Sequence, residues 1–136
     1  MFVPNVVCAV DCGSNSTRLL VSQGNKTLSR EMAITRLSAG VDHNLRLRED
    51  AIERTLDTLR QYRLIMEKFD VQRGLLVATS AVRDASNGDE FLRRARNVVE
   101  IDARILSGAE EAALSFTGAT ADLEKPWSRP PLICDI

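Results

Sequence analysis

The sequence predicts an α/β domain organised on a mixed five-stranded sheet with helices on its faces. Three patterns lead there: strand-like segments joined by short turns at the start of the chain, one long stretch of helical periodicity, and short apolar runs that alternate with further helical stretches. An antiparallel meander followed by right-handed crossovers accommodates all of them.

Residues 6–10 form an apolar run that breaks into Asp11-Cys12-Gly13-Ser14-Asn15-Ser16-Thr17-Arg18 and resumes as a second strand at Leu19-Leu20-Val21. Gly24-Asn25 supplies a tight turn into a third strand over residues 26–37, and residues 38–44 form a loop. Ile52, Leu56, Leu59, Tyr62, Ile65, Met66 and Phe69 recur at helical spacing, which predicts an amphipathic helix over about residues 49–69. Residues 74–79 read as a short strand buried on both faces, as in parallel sheets. Residues 79–86 link it to a helix that begins near Asn87, with Glu90 at capping-box spacing and Phe91, Leu92, Ala95 and Val98 as the inner face. Another strand follows over residues 99–106, and a further helix starts at Ser107. Residues 123–131 are a proline-rich connector without periodicity, leading to a last apolar strand at residues 132–136.

The chain is long enough for one domain with a real core and too short for two full ones. With 44% apolar and 27% charged residues, it belongs with ordinary globular proteins. A net charge of −1 supplies no basic field for nucleic acid or a membrane surface, so neither is expected as a partner. The N-terminus lacks a basic region, and no apolar run reaches the length of a signal core or membrane span, so the cytoplasm is the expected compartment. Cys8, Cys12 and Cys134 lie in or beside apolar runs, and His43 is the sole histidine, which favours reduced core thiols over a zinc site.

The first turn carries most of the chemistry. Within the eight residues from Asp11 to Arg18 it offers backbone N–H groups, three hydroxyls, an amide, a carboxylate and a guanidinium, an inventory that suits a phosphate and its metal ion. Gly, Ser and Asn also form plain hairpin turns. Asp11, ending an apolar strand with no polar neighbour that requires it, tilts the balance towards chemistry. Residues 132–136 repeat the pattern of residues 8–12, an apolar strand that delivers an aspartate at its carboxyl end. The expectation is therefore a fragment of a longer protein, whose continuation forms a second phosphate loop.

Residues 11–18, 78–88 and 105–112 resemble three successive motifs of the exopolyphosphatase / guanosine pentaphosphate phosphohydrolase (Ppx/GppA) family, and residues 132–136 resemble the opening of its fourth. The resemblance covers nearly the whole chain. It implies a ribonuclease H-like lobe of the actin-like ATPase superfamily, with residues 1–124 as the first lobe and 125–136 as the connector and first strand of a second. It further implies a phosphohydrolase that releases terminal phosphate from inorganic polyphosphate or guanosine pentaphosphate with Mg2+, a homodimer when intact, and near inactivity for the first lobe alone. A non-catalytic phosphate- or nucleotide-sensing lobe and a kinase or ATPase remain the competing classes.

Carried over residue by residue, the resemblance places the catalytic base on Glu111, phosphate contacts on Gly13, Ser14, Asn15, Ser16, Ser80 and Arg83 and more weakly on Arg18, and Mg2+ on Asp11 and Asp135. The residues themselves leave other roles open. Glu111 also suits the positive end of a helix dipole, and Arg83 suits a surface ion pair with Asp84 or Glu90. Ser107 and Glu110 have the spacing of a capping box, which accounts for Glu110 without catalysis. Cys12, Thr17 and Ala109 depart from the family's usual residues and leave polymer against nucleotide preference open.

Overall fold

The computed structural model describes residues 3–41, 45–123, 129 and 131–134. Strands β1 (Val6–Cys12), β2 (Ser16–Gln23) and β3 (Lys26–Ile34) form the meander. Helix α1 (Glu49–Lys68), strand β4 (Arg73–Ala78), the one-turn helix α2 (Ser80–Arg83), helix α3 (Gly88–Val99), strand β5 (Asp102–Ile105) and helix α4 (Gly108–Thr120) follow. The sheet order is β3-β2-β1-β4-β5, with β1 antiparallel to β2 and parallel to β4, and β4 parallel to β5. The predicted mixed five-stranded sheet is thus the observed one.

Alternation along the central strands sorts their side chains. Cys8, Val10 and Cys12 of β1, Leu19 and Val21 of β2 and Leu76 and Ala78 of β4 point to one face and are buried. That face packs against Ile52, Leu56, Leu59, Tyr62 and Met66 of α1 and Phe91, Ala95 and Val99 of α3. Each fully buried aliphatic or aromatic side chain there contributes roughly 1.5–3 kcal/mol by leaving water. On the other face Val7, Ala9 and Arg18 are exposed, and α4 stands off across an open cleft lined by Val77, Ala112 and Leu114. Arg94 of α3 spans to Glu49 and Glu53 of α1, tying the two core helices at their outer edge.

Several boundaries differ from the sequence expectation for identifiable reasons. β3 ends at Ile34 because the next two N–H groups, of Thr35 and Arg36, turn to the Asn15 carbonyl, and Arg36 adopts φ 48°. The link after β4 is not extended throughout but coils once as α2. The capping box expected at Asn87 and Glu90 is absent, since the Asn87 side chain instead accepts from Leu47 N–H at 2.8 Å and donates to Leu47 O at 3.0 Å. α3 runs to Val99, and Glu100 reverses the chain at φ 55°, so β5 starts only at Asp102. Residues 131–134 form no strand, and Asp135 and His43 lie outside the described residues, as does the proposed lobe boundary at 124/125.

All three cysteines are free, but only Cys8 and Cys12 are core thiols; Cys134 is exposed because its segment is not incorporated in the sheet. Burial pushes the Cys8 thiol up to about 11 and the Cys12 thiol further still. Gly88 is required at the start of α3 because an added Cβ would overlap the Val82 carbonyl oxygen, a backbone atom that cannot swing aside. Gly88→Ala is therefore expected to cost about 1–3 kcal/mol of stability by urea denaturation, as overpacked sites do; an unchanged midpoint would contradict this packing.

Candidate functional site

The carboxyl ends of the parallel strands β1 and β4 and the N-terminus of α4 converge on one cleft of about 1030 Å³. Open α/β sheets bind ligands at such strand ends. Asp11, Gly13, Ser14, Asn15, Ser16, Arg18, Ser80 and Glu111 all line it, joined by Thr79 and Leu106. A second, polar groove of about 690 Å³ lies at the opposite end of β4 and β5, beside Arg73 and Asp102, and holds none of the predicted residues.

The turn between β1 and β2 is closed by Gly13 N–H donating to Ser16 O at 3.0 Å. That N–H is spent inside the turn, so any backbone contact to an anion falls to the residues after Gly13. Its carbonyls are held from behind: Asn15 O accepts from Thr35 N–H at 3.1 Å and Arg36 N–H at 3.0 Å, and Ser14 O from Ser38 N–H at 3.0 Å. Behind these, Thr17 Oγ1 and Thr35 Oγ1 share a buried hydrogen bond of 2.8 Å, and Tyr62 Oη donates to Thr17 O at 2.7 Å. Arg54 Nε donates to Thr35 O at 2.6 Å. Burial, followed by the charge of Glu31, raises the Tyr62 phenol to about 12, so it remains a donor. On the cleft side Ser14 Oγ and Ser80 Oγ lie 3.0 Å apart, joining the turn to the first residue of α2.

Asp11 ends β1 on the cleft side, directly opposite Arg18 of β2 in the strand register, and its Oδ1 is sealed from solvent. A hard divalent cation takes one or two carboxylates and completes its shell with water and substrate phosphate oxygens. Asp11 with the neighbouring hydroxyls is a donor set of that kind. Among the described residues no three His, Cys, Asp or Glu side chains gather as an all-protein metal cage.

At α4 the capping box is present as the sequence predicts: Glu110 N–H donates to Ser107 Oγ at 3.2 Å and Ser107 N–H to Glu110 Oε2 at 2.8 Å. Arg104 Nη1 adds a bond to Glu110 Oε1 at 2.6 Å. The Ser107 N–H bond, with Arg104 beside it, holds the Glu110 carboxyl down at about 2. Glu111 turns the other way, into the cleft wall, and accepts from Arg83 Nη1 at 3.3 Å. Arg83 Nη1 also donates to Leu106 O at 2.8 Å, and its Nε lies 3.8 Å from Asp84. The surface-pair alternative is thus met through Asp84, not Glu90, and Arg83 is the one predicted site residue among those described that does not line the cleft.

Thr35, Arg54 and Tyr62 were not singled out by sequence. Tyr62 sits among the apolar positions of α1, and only its hydroxyl marked it as more than core.

Sheet order and helix placement define an α/β lobe on a mixed five-stranded sheet, with a cleft at its central strand ends. More specifically, the chain belongs to the Ppx/GppA phosphatase family, whose model matches residues 9–136. Exopolyphosphatase 2 of Mycobacterium tuberculosis is 38% identical over 130 residues, covering 86% of this chain and 41% of that protein. The bifunctional 3-dehydroquinate synthase/phosphatase of Fusobacterium nucleatum is 32% identical over 139 residues, covering 94% and 21%. Among solved structures, an exopolyphosphatase from Cytophaga hutchinsonii superposes with a TM-score of 0.82 at 32% identity, covering 88% of this chain and 39% of its own. An Aquifex aeolicus Ppx/GppA family member gives 0.78 at 32%, covering 88% and 40%. The chain therefore spans about two fifths of these exopolyphosphatases or less of the bifunctional relative. Among the described residues no helix is long and apolar enough to cross a membrane.

The lowered Glu110 carboxyl has a stability consequence. A carboxyl depressed on folding contributes stability that is present above its ordinary value of 4.5 and is lost as pH falls towards about 2. The stability difference between wild type and Glu110→Gln, followed by urea denaturation, is expected to shrink across that interval; a difference that stays constant down to pH 2 would contradict the capping network as its source.

Proposed function

We propose that the protein is a phosphohydrolase that removes the terminal phosphate of inorganic polyphosphate, with guanosine pentaphosphate as a second substrate of the same chemical class. The observation that carries this reading is that Glu111 and the turn of residues 13–16 line one cleft, a candidate base facing a candidate anion cradle. The names of relatives that are 38% and 32% identical to this chain over the aligned residues support the substrate class.

In this reading the Ser14 and Ser80 hydroxyls and the N–H groups that follow Gly13 hold the oxygens of the terminal phosphoryl group, where fixed donors offset charge without reorganising. Arg18 faces the same cleft and meets charge further along the chain. Glu111 accepts a proton from a water aligned with the scissile bond. The water oxygen bonds to the terminal phosphorus, the anhydride P–O bond breaks, and its electron pair leaves with the shortened polymer. Orthophosphate is the other product.

Asp11 is the residue of the described part that would hold Mg2+, and Asp135, which lies outside the described residues, is the second proposed ligand. When bound, the ion neutralises charge on the phosphate oxygens. Residues 1–124 act as the first lobe and 125–136 lead into the second, in keeping with the greater length of the relatives.

In the intact two-lobed protein, Glu111→Gln is expected to lower the Mg2+-dependent release of orthophosphate from polyphosphate by about 10²–10⁴-fold, the usual contribution of a positioned base, with the thermal midpoint unchanged. Turnover within twofold of wild type would return Glu111 to its helix-dipole role and favour a sensing lobe.

A further inference from the structure

Of the predicted phosphate contacts among the described residues, Arg83 alone stands outside the cleft, and its partners explain why. One nitrogen, Nη1, bonds both the carbonyl that precedes α4, at Leu106, and the Glu111 carboxylate, at 2.8 and 3.3 Å. Nε turns towards Asp84, at the end of α2. A guanidinium presents five N–H donors in a rigid plane, so one group can hold two acceptors at a fixed separation. Here the acceptors are the backbone at the root of a helix and a side chain on that helix's first turn.

The rest of the environment converges on the same residue. Glu111 itself has long, flexible geometry and is only partly shielded, so without a partner its carboxylate would sample several rotamers. Glu110 cannot steady it, because its ionised carboxylate only accepts hydrogen bonds, here from Ser107 N–H and Arg104. Ser80 opens α2 and contacts the phosphate turn through Ser14, while Arg83 closes α2 and contacts the base. The one-turn helix thus spans from the turn to the carboxylate within four residues.

The geometry points to Arg83 as a positioning residue: it acts on the reaction through Glu111, by fixing that carboxylate and the entry to α4 relative to the phosphate turn, and not by binding substrate. This rests on the reading of Glu111 as base. It predicts that losing Arg83 slows the chemical step and leaves substrate affinity alone, since a misplacement of about 1 Å in a reacting group costs on the order of a hundredfold.

The test is steady-state orthophosphate release from polyphosphate by the intact two-lobed protein carrying Arg83→Gln or Arg83→Lys, with inhibition by added orthophosphate measured alongside. Arg83→Gln is expected to lower kcat by about tenfold to a hundredfold while KM and the orthophosphate inhibition constant stay within twofold. Arg83→Lys, which keeps a charged donor nitrogen but loses the planar guanidinium and the Nε that turns towards Asp84, should fall between wild type and Arg83→Gln. A tenfold rise in KM or in the inhibition constant with kcat preserved would overturn the proposal and make Arg83 a direct phosphate ligand. So would Arg83→Lys with wild-type kcat, since charge alone would then suffice. Glu111→Gln at full kcat is a separate outcome that removes the base reading, whereas a slow Glu111→Gln with a normal Arg83→Gln removes only the positioning role.

Discussion

The site depends on where one turn sends its carbonyl groups. A tight reversal of a strand exposes N–H and C=O groups in comparable number, and an anion is repelled by any carbonyl that faces it. Here the Ser14 and Asn15 carbonyls are engaged from behind by the N–H groups of Thr35, Arg36 and Ser38. The segment after β3 is therefore committed to the back of the turn, which is why β3 stops at Ile34 and the chain kinks at Arg36. Thr17, Thr35, Tyr62 and Arg54 carry the tie inward to α1, so the same helix that fills the core also fixes the turn.

On the opposite wall, two adjacent glutamates have divergent fates. Glu110 is consumed by the cap and by Arg104, and its carboxyl is pulled to the acid end of its range. Glu111, one residue on and about 100° further round the helix, is released from that duty and directed into the cleft. Without a cap residue to absorb one charge, two carboxylates in the same turn would repel each other. The capping box thus separates an acid spent on the helix start from one left to line the cleft.

What was legible in the sequence was what is local. The Ser107–Glu110 box works within a single turn and was visible as spacing; the succession of strands and helices along the chain followed from periodicity and turn length, and Asp11 stood out because nothing near it in sequence required it. What was not legible depends on distant partners. Asn87 spends its amide on Leu47, forty residues away in the chain, so the local capping pattern with Glu90 never forms. Arg83 meets Glu111 across 28 residues, and Tyr62 meets Thr17 across 45. Of the named site residues, Asp135 alone lies outside the described part.

Cys12, beside Asp11 at the end of β1, bears on the electrostatics of the cleft. Strand alternation turns its thiol into the core while Asp11 faces the opening, and burial, reinforced by the aspartate's own charge, holds the sulfur in its neutral form far above the physiological range. A thiolate there would set a second negative charge behind the first and oppose an incoming polyanion. As built, the buried thiol adds no charge of its own behind the cleft at neutral pH, and its burial keeps it from the redox chemistry that a more exposed cysteine would register.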